Sequence, residues 1–297
     1  MPNLVLYAVV IFSWGTSWLA IKYQLGVVHP QMSVAYRFIL SGLILTTFCL
    51  ITKKKMSFSL KEHARIFLQA IFLFSTNYIF IYRSSAYLPS GLESIIFSTL
   101  TFMNIINSRI FLKQKISLEV VLATCVGFIG IILIFGREIA LANAGVITGA
   151  ILGMISAYVA SLGNIISASN QKAGLPVVQT TALGMLYGGV WTLILSLAMG
   201  LPLVFPVTVE YVGSLLFLST FASILAFISY LTLLGKIGPS RAGYCVLMFP
   251  LIAVTLSIFF ENYALRATDG VGMLLVLLGS YVVMFKPKIQ KAPEAQN

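Results

Sequence analysis

Long apolar stretches separated by short polar loops recur along the whole chain. A helix needs about 20 mostly apolar residues to cross a bilayer, and ten stretches reach or approach that length. They cover roughly 4–21, 31–51, 65–82, 90–110, 118–135, 146–168, 178–200, 209–234, 241–260 and 270–286. The pattern predicts an all-α integral membrane protein with ten transmembrane helices, joined by loops too short to separate soluble domains.

Composition agrees with a lipid environment. Of the 297 residues, 59% are hydrophobic and 9% are charged, against about 25% charged in soluble domains. The net charge of +11 would suggest nucleic acid in a soluble protein, but the basic residues lie in short loops and we expect no nucleic-acid partner. Cys49, Cys125 and Cys245 lie in apolar stretches without CxxC spacing, which favours small hydrophobic fillers over disulfides or metal ligands.

The basic residues also predict the orientation. With the N-terminus in the cytoplasm, 14 lysines and arginines fall on the cytoplasmic side and 4 on the other, a strong bias under the positive-inside rule. We therefore expect the protein to lie in the inner or plasma membrane of the cell, with both termini in the cytoplasm. The first apolar stretch lacks a basic leader and a cleavage site, which predicts a retained helix.

The two halves of the chain resemble each other. An offset of 148 residues lays Tyr82 on Tyr230, and an offset of 146 lays Gly42 on Gly188. The predicted units are a five-helix repeat at 1–140, a second repeat at 141–290 and a cytoplasmic tail at 291–297. Five is odd, so the second repeat would be inverted, an arrangement that places a shared cavity near the midplane and favours alternating access. Duplication also occurs in proteins that transport nothing.

The sequence argues against an enzyme. Its one aspartate, Asp269, lies in a loop, and its two histidines, His29 and His63, lie in different loops. HExxH, Walker A and GxSxG motifs are absent from the sequence. We therefore expect neither catalysis nor a cofactor or metal site.

Polar and aromatic side chains within the predicted helices are the candidates for a substrate site. Tyr78 and Tyr82 lie four residues apart on one helix face. Glu93 is the one acid well inside a predicted span, where it could titrate, pair with Arg37 or Arg83, or meet a substrate ammonium. The full set of candidates is Trp14, Asn77, Tyr78, Tyr82, Glu93, Ser94, Ser98, Thr101, Tyr158, Asn164, Tyr230 and Tyr244. Helix packing, hydrogen bonds between helices and an interfacial tyrosine belt are the alternative roles for them.

Four further residues carry expectations of their own. Gly15 and Pro250 are candidate hinges, because each permits a bend within a helix. Arg37 is expected to extend its side chain to the outer headgroups. Glu261 is expected to cap a helix or to pair locally.

Several segments, in order along the chain, resemble the EamA type of the drug/metabolite transporter superfamily. They are WGTSW (Trp14–Trp18), the stretch from Pro30 to Arg37, YLPSGLESIIF (Tyr87–Phe97), LGKIGPSRAGY (Leu234–Tyr244), Pro250, FFE (Phe259–Glu261) and the glycine-rich last helix. The resemblance implies two inverted bundles of five helices, with a cavity lined chiefly by helices 1, 3, 4, 6, 8 and 9. Within the superfamily the chain is most similar to YddG-type amino-acid exporters.

The first half departs from the family pattern. Phe102 replaces the proline that matches Pro250, and Lys113 or Gln114 replaces the acid that matches Glu261. These differences predict that the two halves hinge unequally.

These observations predict a monomeric secondary transporter that exports small amphipathic metabolites, above all amino acids including aromatic ones. Its partners would be the small-molecule substrate and membrane lipid. Export of a nucleobase, cofactor precursor or drug is the alternative within transport, and a non-transporting receptor or scaffold is the alternative outside it. The sequence leaves proton antiport and facilitated diffusion both open.

Overall fold

A computed structural model of the chain describes residues 2–26, 28–113, 118–140, 143–243, 245–264 and 266–285. The helices are α1 (Asn3–Lys22), α2 (Pro30–Ile51), α3 (Leu60–Ser84), α4 (Ser90–Leu112), α5 (Leu118–Ala140), α6 (Ala144–Lys172), α7 (Val177–Ala198), α8 (Val209–Ile237), α9 (Cys245–Phe260) and α10 (Ala267–Phe285). A one-turn helix, Pro239–Ala242, precedes α9.

The helical membrane fold is confirmed. Over the described residues the secondary structure is helical without strands, and seven helices are long and apolar enough to cross a bilayer. Shorter apolar segments lie within α5, α9 and α10, at 121–134, 248–260 and 267–279. A helix thus occupies each predicted position, while the exact number of ten crossings stays a prediction.

Helix packing follows a repeated pattern. The most extensive contacts join α2 to α7 and α5 to α10. In addition, α1 packs against α8 and α9, while α6 packs against α3 and α4. If each helix of the first half is exchanged with its counterpart in the second half, the α1–α8 contact becomes α6–α3 and the α1–α9 contact becomes α6–α4. The α2–α7 and α5–α10 contacts are unchanged by this exchange. A duplicated chain predicts this pattern. The boundary between the repeats at residue 140 stays a prediction, and the tail at 291–297 lies outside the described residues.

Glycines allow the closest of these contacts. A Cβ added at Gly42 would lie 2.5 Å from the backbone nitrogen of Leu186, and one at Gly189 would lie 2.5 Å from that of Ile39. The separation is 147 residues both from Gly42 to Gly189 and from Ile39 to Leu186. The structure thus matches Gly42 with Gly189, one residue beyond the Gly188 that the sequence comparison gave. The two contacts are therefore equivalent, and the α2–α7 crossing depends on the missing side chains, as in other close helix pairs in lipid.

Several helices are locally irregular near their middle. Helix α3 contains a π-helical segment, Phe72–Thr76, and α8 contains another, Leu218–Leu225. Helix α4 is interrupted at residues 98–99, between Phe97 and Leu100, and α9 contains Pro250. Such segments leave backbone groups free from the regular hydrogen-bond ladder and are frequent at functional sites.

The match of Glu261 in the first repeat stays a prediction. Helix α4 ends at Leu112 and α9 at Phe260, which aligns Lys113, one of the two residues expected there, with Glu261. The left-handed residues near these ends, Lys113 and Asn262 with φ of 54°, lie one residue further apart along the chain.

Gly42→Ala tests the tight α2–α7 crossing. The added methyl group meets backbone atoms that cannot move independently, so we expect the free energy of unfolding to fall by about 1–3 kcal/mol. Gly213→Ala is the control, because no atom lies within 4 Å of a Cβ added there. Thermal unfolding in detergent should show a lower midpoint for Gly42→Ala alone; equal midpoints would contradict the close crossing.

Candidate functional site

A cavity lies between α1, α3, α4, α6, α8 and α9, the six helices that the family resemblance implied. Its lining residues are Trp14, Ser17, Trp18, Ile21, Leu73, Asn77, Tyr78, Ile81, Phe97, Leu100, Ala160, Asn164, Phe227, Tyr230 and Phe249. The centre of a water molecule can move within about 30 Å³ of it, so the cavity can hold ordered water. A larger solute needs the helices to move apart.

Aromatic rings from several helices form most of the cavity wall. The ring of Trp14 lies 4.9 Å from that of Tyr230 and 5.2 Å from that of Phe227, measured between centroids. The ring of Trp18 lies 5.4 Å from Phe97 and 5.6 Å from Phe249. Such rings attract flat apolar groups and, through their faces, cations.

The π-helical segment of α8 positions one of these rings. The indole nitrogen of Trp14 donates a hydrogen bond of 3.0 Å to the carbonyl oxygen of Ala222, a residue within Leu218–Leu225. A regular helix would use such a carbonyl for its own ladder. The irregular turn thus holds Trp14 against the cavity.

Three polar atoms at the cavity wall have no hydrogen-bond partner among the described residues. They are the indole nitrogen of Trp18 and the side-chain oxygens of Asn77 and Asn164. The three side chains are at most 5% exposed. Buried polar groups normally have partners, so one donor and two acceptors beside the cavity are unsatisfied.

A short network holds Asn164 in place. Its amide nitrogen donates to the side-chain oxygen of Asn104 at 3.2 Å and to the hydroxyl of Tyr230 at 3.0 Å. These bonds join α4, α6 and α8 beside the cavity. Both bonds use the amide nitrogen and fix the orientation of the amide, while the side-chain oxygen of Asn164 has no partner among the described residues.

Five predicted site residues are brought together in the cavity lining: Trp14, Asn77, Tyr78, Asn164 and Tyr230. Six others do not line it: Tyr82, Glu93, Ser94, Ser98, Thr101 and Tyr158. Tyr244 lies outside the described residues.

Local bonding explains why the polar stripe of α4 does not reach the cavity. The hydroxyls of Ser94 and Ser98 donate to carbonyls of their own helix, at 2.6 and 2.5 Å. The hydroxyl of Thr101 donates to the carbonyl of Gly243 at 3.1 Å. Tyr158, in contrast, is 45% exposed on the outer surface of α6. The polar residues of α4 therefore face neighbouring protein groups and not the cavity.

Gly15 and Pro250 lie on neighbouring helices. A Cβ added at Gly15 would lie 2.7 Å from the Cβ of Ile252, two residues beyond Pro250. Pro250 is buried and borders a separate small cavity with Ser98. Helix α1 thus contacts α9 next to the position where the proline removes a backbone hydrogen bond, and the hinge role of both residues stays a prediction.

Sequence reasoning missed most of the apolar lining. Phe97, Phe227 and Phe249 contribute rings to the cavity, yet the chain has 21 phenylalanines and lipid-facing ones look the same in the sequence. Helical spacing was a signal for one of them, because Phe227 lies three residues before Tyr230, a candidate already identified, and therefore on the same face of the helix.

Charged residues close one end of the bundle. The ammonium of Lys22 donates to the carbonyl oxygens of Ser85, at 2.5 Å, and Leu88, and lies 3.8 Å from the carboxylate of Glu261. Glu261 also accepts bonds from the backbone nitrogen and the hydroxyl of Ser90. Glu261 therefore caps the start of α4, one of its two expected roles. Its charged partner is not local, because the folded chain brings α1, α4 and α9 together at this Lys22 end.

Glu93 lies near the same end. It is 1% exposed, and one carboxylate oxygen accepts a hydrogen bond from the hydroxyl of Ser85. The other oxygen has no partner among the described residues. Neither Arg37 nor Arg83 forms an ion pair with it within the described part of the chain.

A neutral side chain joins two helices at the opposite end of the bundle, the Gln171 end. The amide nitrogen of Gln171, near the end of α6, donates to the carbonyl oxygen of Leu231 in α8 at 3.0 Å. At the Lys22 end, the ammonium of Lys22 makes the comparable bond from α1 to the carbonyl of Ser85. An amide thus does at one end what a charged group does at the other.

Arg37 does not extend to the headgroups. It is 1% exposed, and its Nε donates to the hydroxyl of Ser223 at 2.9 Å. Its guanidinium carbon lies 4.6 Å from the ring centroid of Tyr78. The expectation was wrong because the side chain packs inward, between α2, α3 and the π-helical segment of α8.

The sequence profile of the EamA-like transporter family matches residues 1–136 and 147–285. The chain belongs to the EamA-like transporter family. The predicted resemblance is confirmed at this level, and the chain is a multi-pass membrane transporter that uses a small-molecule substrate. A family of transporters also agrees with the expectation that the chain is not an enzyme.

Relatives of this EamA-like chain carry transporter names. It is 27% identical to an uncharacterized transporter of Archaeoglobus fulgidus, over 96% of this chain and 100% of the relative. It is 28% identical to the uncharacterized transporter YvbV of Bacillus subtilis, over 97% and 93%. Protein PagO of Salmonella typhimurium is 24% identical, over 94% and 92%.

A solved crystal structure shares the fold of the EamA-like chain. The two agree with a TM-score of 0.71 over 95% of this chain and 96% of the other, at 17% identity. Within the described residues, the EamA-like chain brings no three histidine, cysteine or acidic side chains into an arrangement that could hold a metal ion.

Asn164→Leu tests the network beside the cavity. The change leaves the Asn104 oxygen and the Tyr230 hydroxyl without the amide donor, so we expect the free energy of unfolding to fall by about 1–2 kcal/mol. Tyr158→Phe, on the exposed face of the same helix, should leave it unchanged. If both variants unfold at the wild-type temperature in detergent, the network does not stabilise the fold.

Proposed function

We propose that this transporter exports small amphipathic metabolites, in particular amino acids including aromatic ones, across the inner membrane by alternating access. The proposal rests on the cavity near the middle of the bundle, where aromatic rings surround one free donor and two free acceptors. No cofactor enters the mechanism, because binding and movement of helices suffice for transport.

The free polar atoms carry the substrate assignment. The side-chain oxygens of Asn77 and Asn164 suit the ammonium group of an amino acid, which has donors to fill both. The indole nitrogen of Trp18 is a donor for an acceptor atom elsewhere on the solute. The rings of Trp14 and Phe249 then enclose the side chain of the solute, and an aromatic side chain gains most from that contact.

The unequal ends of the bundle support alternating access. An ion pair between Lys22 and Glu261 joins α1 to the end of α9 at the Lys22 end, whereas at the Gln171 end the neutral amide of Gln171 joins α6 to α8. A cavity of this volume must open on one side to take up a solute. We propose that the Lys22 end faces the outside, with both termini in the cytoplasm, as the distribution of basic residues predicts.

Export of a nucleobase or a flat drug is the second candidate. The aromatic lining favours any planar ring, and the free donor and acceptors can also bond to the edge of a heterocycle. Such a solute would not need an ammonium group, so competition between adenine and L-phenylalanine for the same flux separates the two candidates.

Asn77→Ala tests the substrate assignment. Removing one acceptor for the ammonium should raise the KM for L-phenylalanine by about tenfold or more, since hydrogen bonds to charged groups contribute roughly 1.5–3 kcal/mol. The measurement is the uptake of radiolabelled L-phenylalanine into proteoliposomes. Tyr158→Phe, whose hydroxyl lies on the outer surface, should keep the wild-type KM.

Counterflow completes that test. Vesicles loaded with unlabelled L-phenylalanine should accumulate the labelled form, because a carrier exchanges solute across the bilayer. Absence of saturable flux and of counterflow for every amino acid tried would reject amino-acid transport and leave a receptor or scaffold as the explanation.

Glu261→Gln tests the ion pair as a gate. Loss of the pair should favour opening at the Lys22 end, by about fivefold for an interaction of roughly 1 kcal/mol. The probe is a membrane-impermeant maleimide added from outside, with Ser17→Cys in the cavity and the three native cysteines replaced by alanine. Glu210→Gln, an exposed acid on the same end, is the control and should not change the labelling rate; equal rates in both variants would exclude a gating role.

A further inference from the structure

Arg37 is a buried cation without a counter-ion. It is 1% exposed and lies about two turns inside α2. Within the described residues Arg37 forms no ion pair, so no described carboxylate lies within 4.0 Å of the guanidinium. Its Nη1 is buried and has no hydrogen-bond partner in that part of the chain.

The contacts that Arg37 does make compensate for its charge incompletely. Ser223 accepts one hydrogen bond of 2.9 Å, and the rings of Phe38 and Tyr78 lie 5.3 and 4.6 Å from the guanidinium carbon. Ring faces attract cations but do not neutralise them. Buried charges in proteins are normally paired, since an unpaired one is costly to remove from water.

Arg37 lies directly behind the cavity wall. Tyr78 belongs to the cavity lining and has Arg37 against its ring. One turn further along α3, Tyr82 is fully buried, and its hydroxyl makes no hydrogen bond of regular geometry with a described group. Arg37 is close enough to act on that hydroxyl through its charge and as a donor, and the charge of Glu93 acts on it as well. A charged donor and a hydroxyl whose own proton has no acceptor among the described groups therefore lie side by side next to the substrate cavity.

We propose that Arg37 and Tyr82 bind the carboxylate of the transported solute, which reaches them when the Tyr78 ring moves as the cavity opens. This inference rests on the proposed export of amphipathic metabolites and specifies the substrate class: the solute carries an anionic group as well as an apolar body. Amines and cationic drugs lack that group and are rejected, because they would leave two like charges close together.

The position of Glu93 agrees with this assignment. Its carboxylate is bonded to Ser85 near the Lys22 end, outside ion-pair distance of Arg37. The guanidinium is thus left for an anion that comes from the cavity. An inorganic anion shares this chemistry with a solute carboxylate, and the experiment separates the two sources.

The test compares an acid with its amide on purified protein in detergent. 3-Phenylpropanoate and 3-phenylpropanamide have the same apolar body and differ in the anionic group. We expect the acid to raise the thermal unfolding temperature of the wild type in a saturable way, with the amide at least about tenfold weaker. Sodium chloride and sodium sulfate form the inorganic arm and should not reproduce the effect of the acid.

Variants assign the effect to these residues. Arg37→Gln should weaken binding of the acid by about tenfold or more, while Arg37→Lys should restore part of it because the charge is kept. Tyr82→Phe removes the second donor without changing the shape and should weaken the acid alone. Tyr36→Phe, the neighbouring position on α2, is the control and should bind like the wild type.

The outcomes decide the proposal without relying on transport. Equal stabilisation by acid and amide in the wild type overturns it, and so does wild-type affinity for the acid in both Arg37→Gln and Tyr82→Phe. Stabilisation by chloride or sulfate alone overturns the solute carboxylate as the counter-ion. If Arg37→Gln does not fold, Tyr82→Phe and the acid–amide comparison still decide. Absent amino-acid flux with intact acid selectivity would reject the proposed function and leave the anion site standing.

Discussion

The π-helical segment of α8 is the feature on which the cavity depends. A wider turn leaves backbone groups outside the helical ladder, and neighbouring helices use them. Helix α1 contributes Trp14, which bonds to the carbonyl of Ala222, and α2 contributes Arg37, which bonds to the hydroxyl of Ser223. Ser41 of α2 donates to the carbonyl of Ser219 in the same segment. One irregular segment thus positions both the aromatic wall and the buried cation behind it.

The two repeats pack in nearly the same way, but the two ends of the bundle differ in charge. The contacts between α2 and α7 occur as equivalent pairs, such as Gly42 with Leu186 and Gly189 with Ile39. The helix ends are unequal: an ion pair joins Lys22 to Glu261 at one end, and the neutral amide of Gln171 bonds to a backbone carbonyl at the other. In the proposed transport cycle, the two halves of similar shape exchange conformations, and the ion pair favours closure of the Lys22 end.

The chemistry of the cavity is divided between two layers. The lining presents rings together with the free oxygens of Asn77 and Asn164, which suit an apolar body and an ammonium group. Behind the ring of Tyr78, the cation Arg37 suits the carboxylate of the solute. A solute that bridges both layers must carry both charges, and this requirement links the proposed export of amino acids to the proposed carboxylate site.

The sequence by itself determined the class of the protein. Runs of apolar residues fix where the helices lie, because no other structure satisfies the backbone in lipid, and a helix was found at each predicted position. The order of short segments identified the family, and Trp14, Asn77, Tyr78, Asn164 and Tyr230 were correctly grouped as neighbours. Tertiary structure alone decided which way each side chain points. Arg37 and Glu261 look like helix-end residues in the sequence, yet their partners, Ser223 and Lys22, are more than 180 residues away along the chain. Contacts of that range depend on how whole helices pack, which periodicity along one helix does not encode.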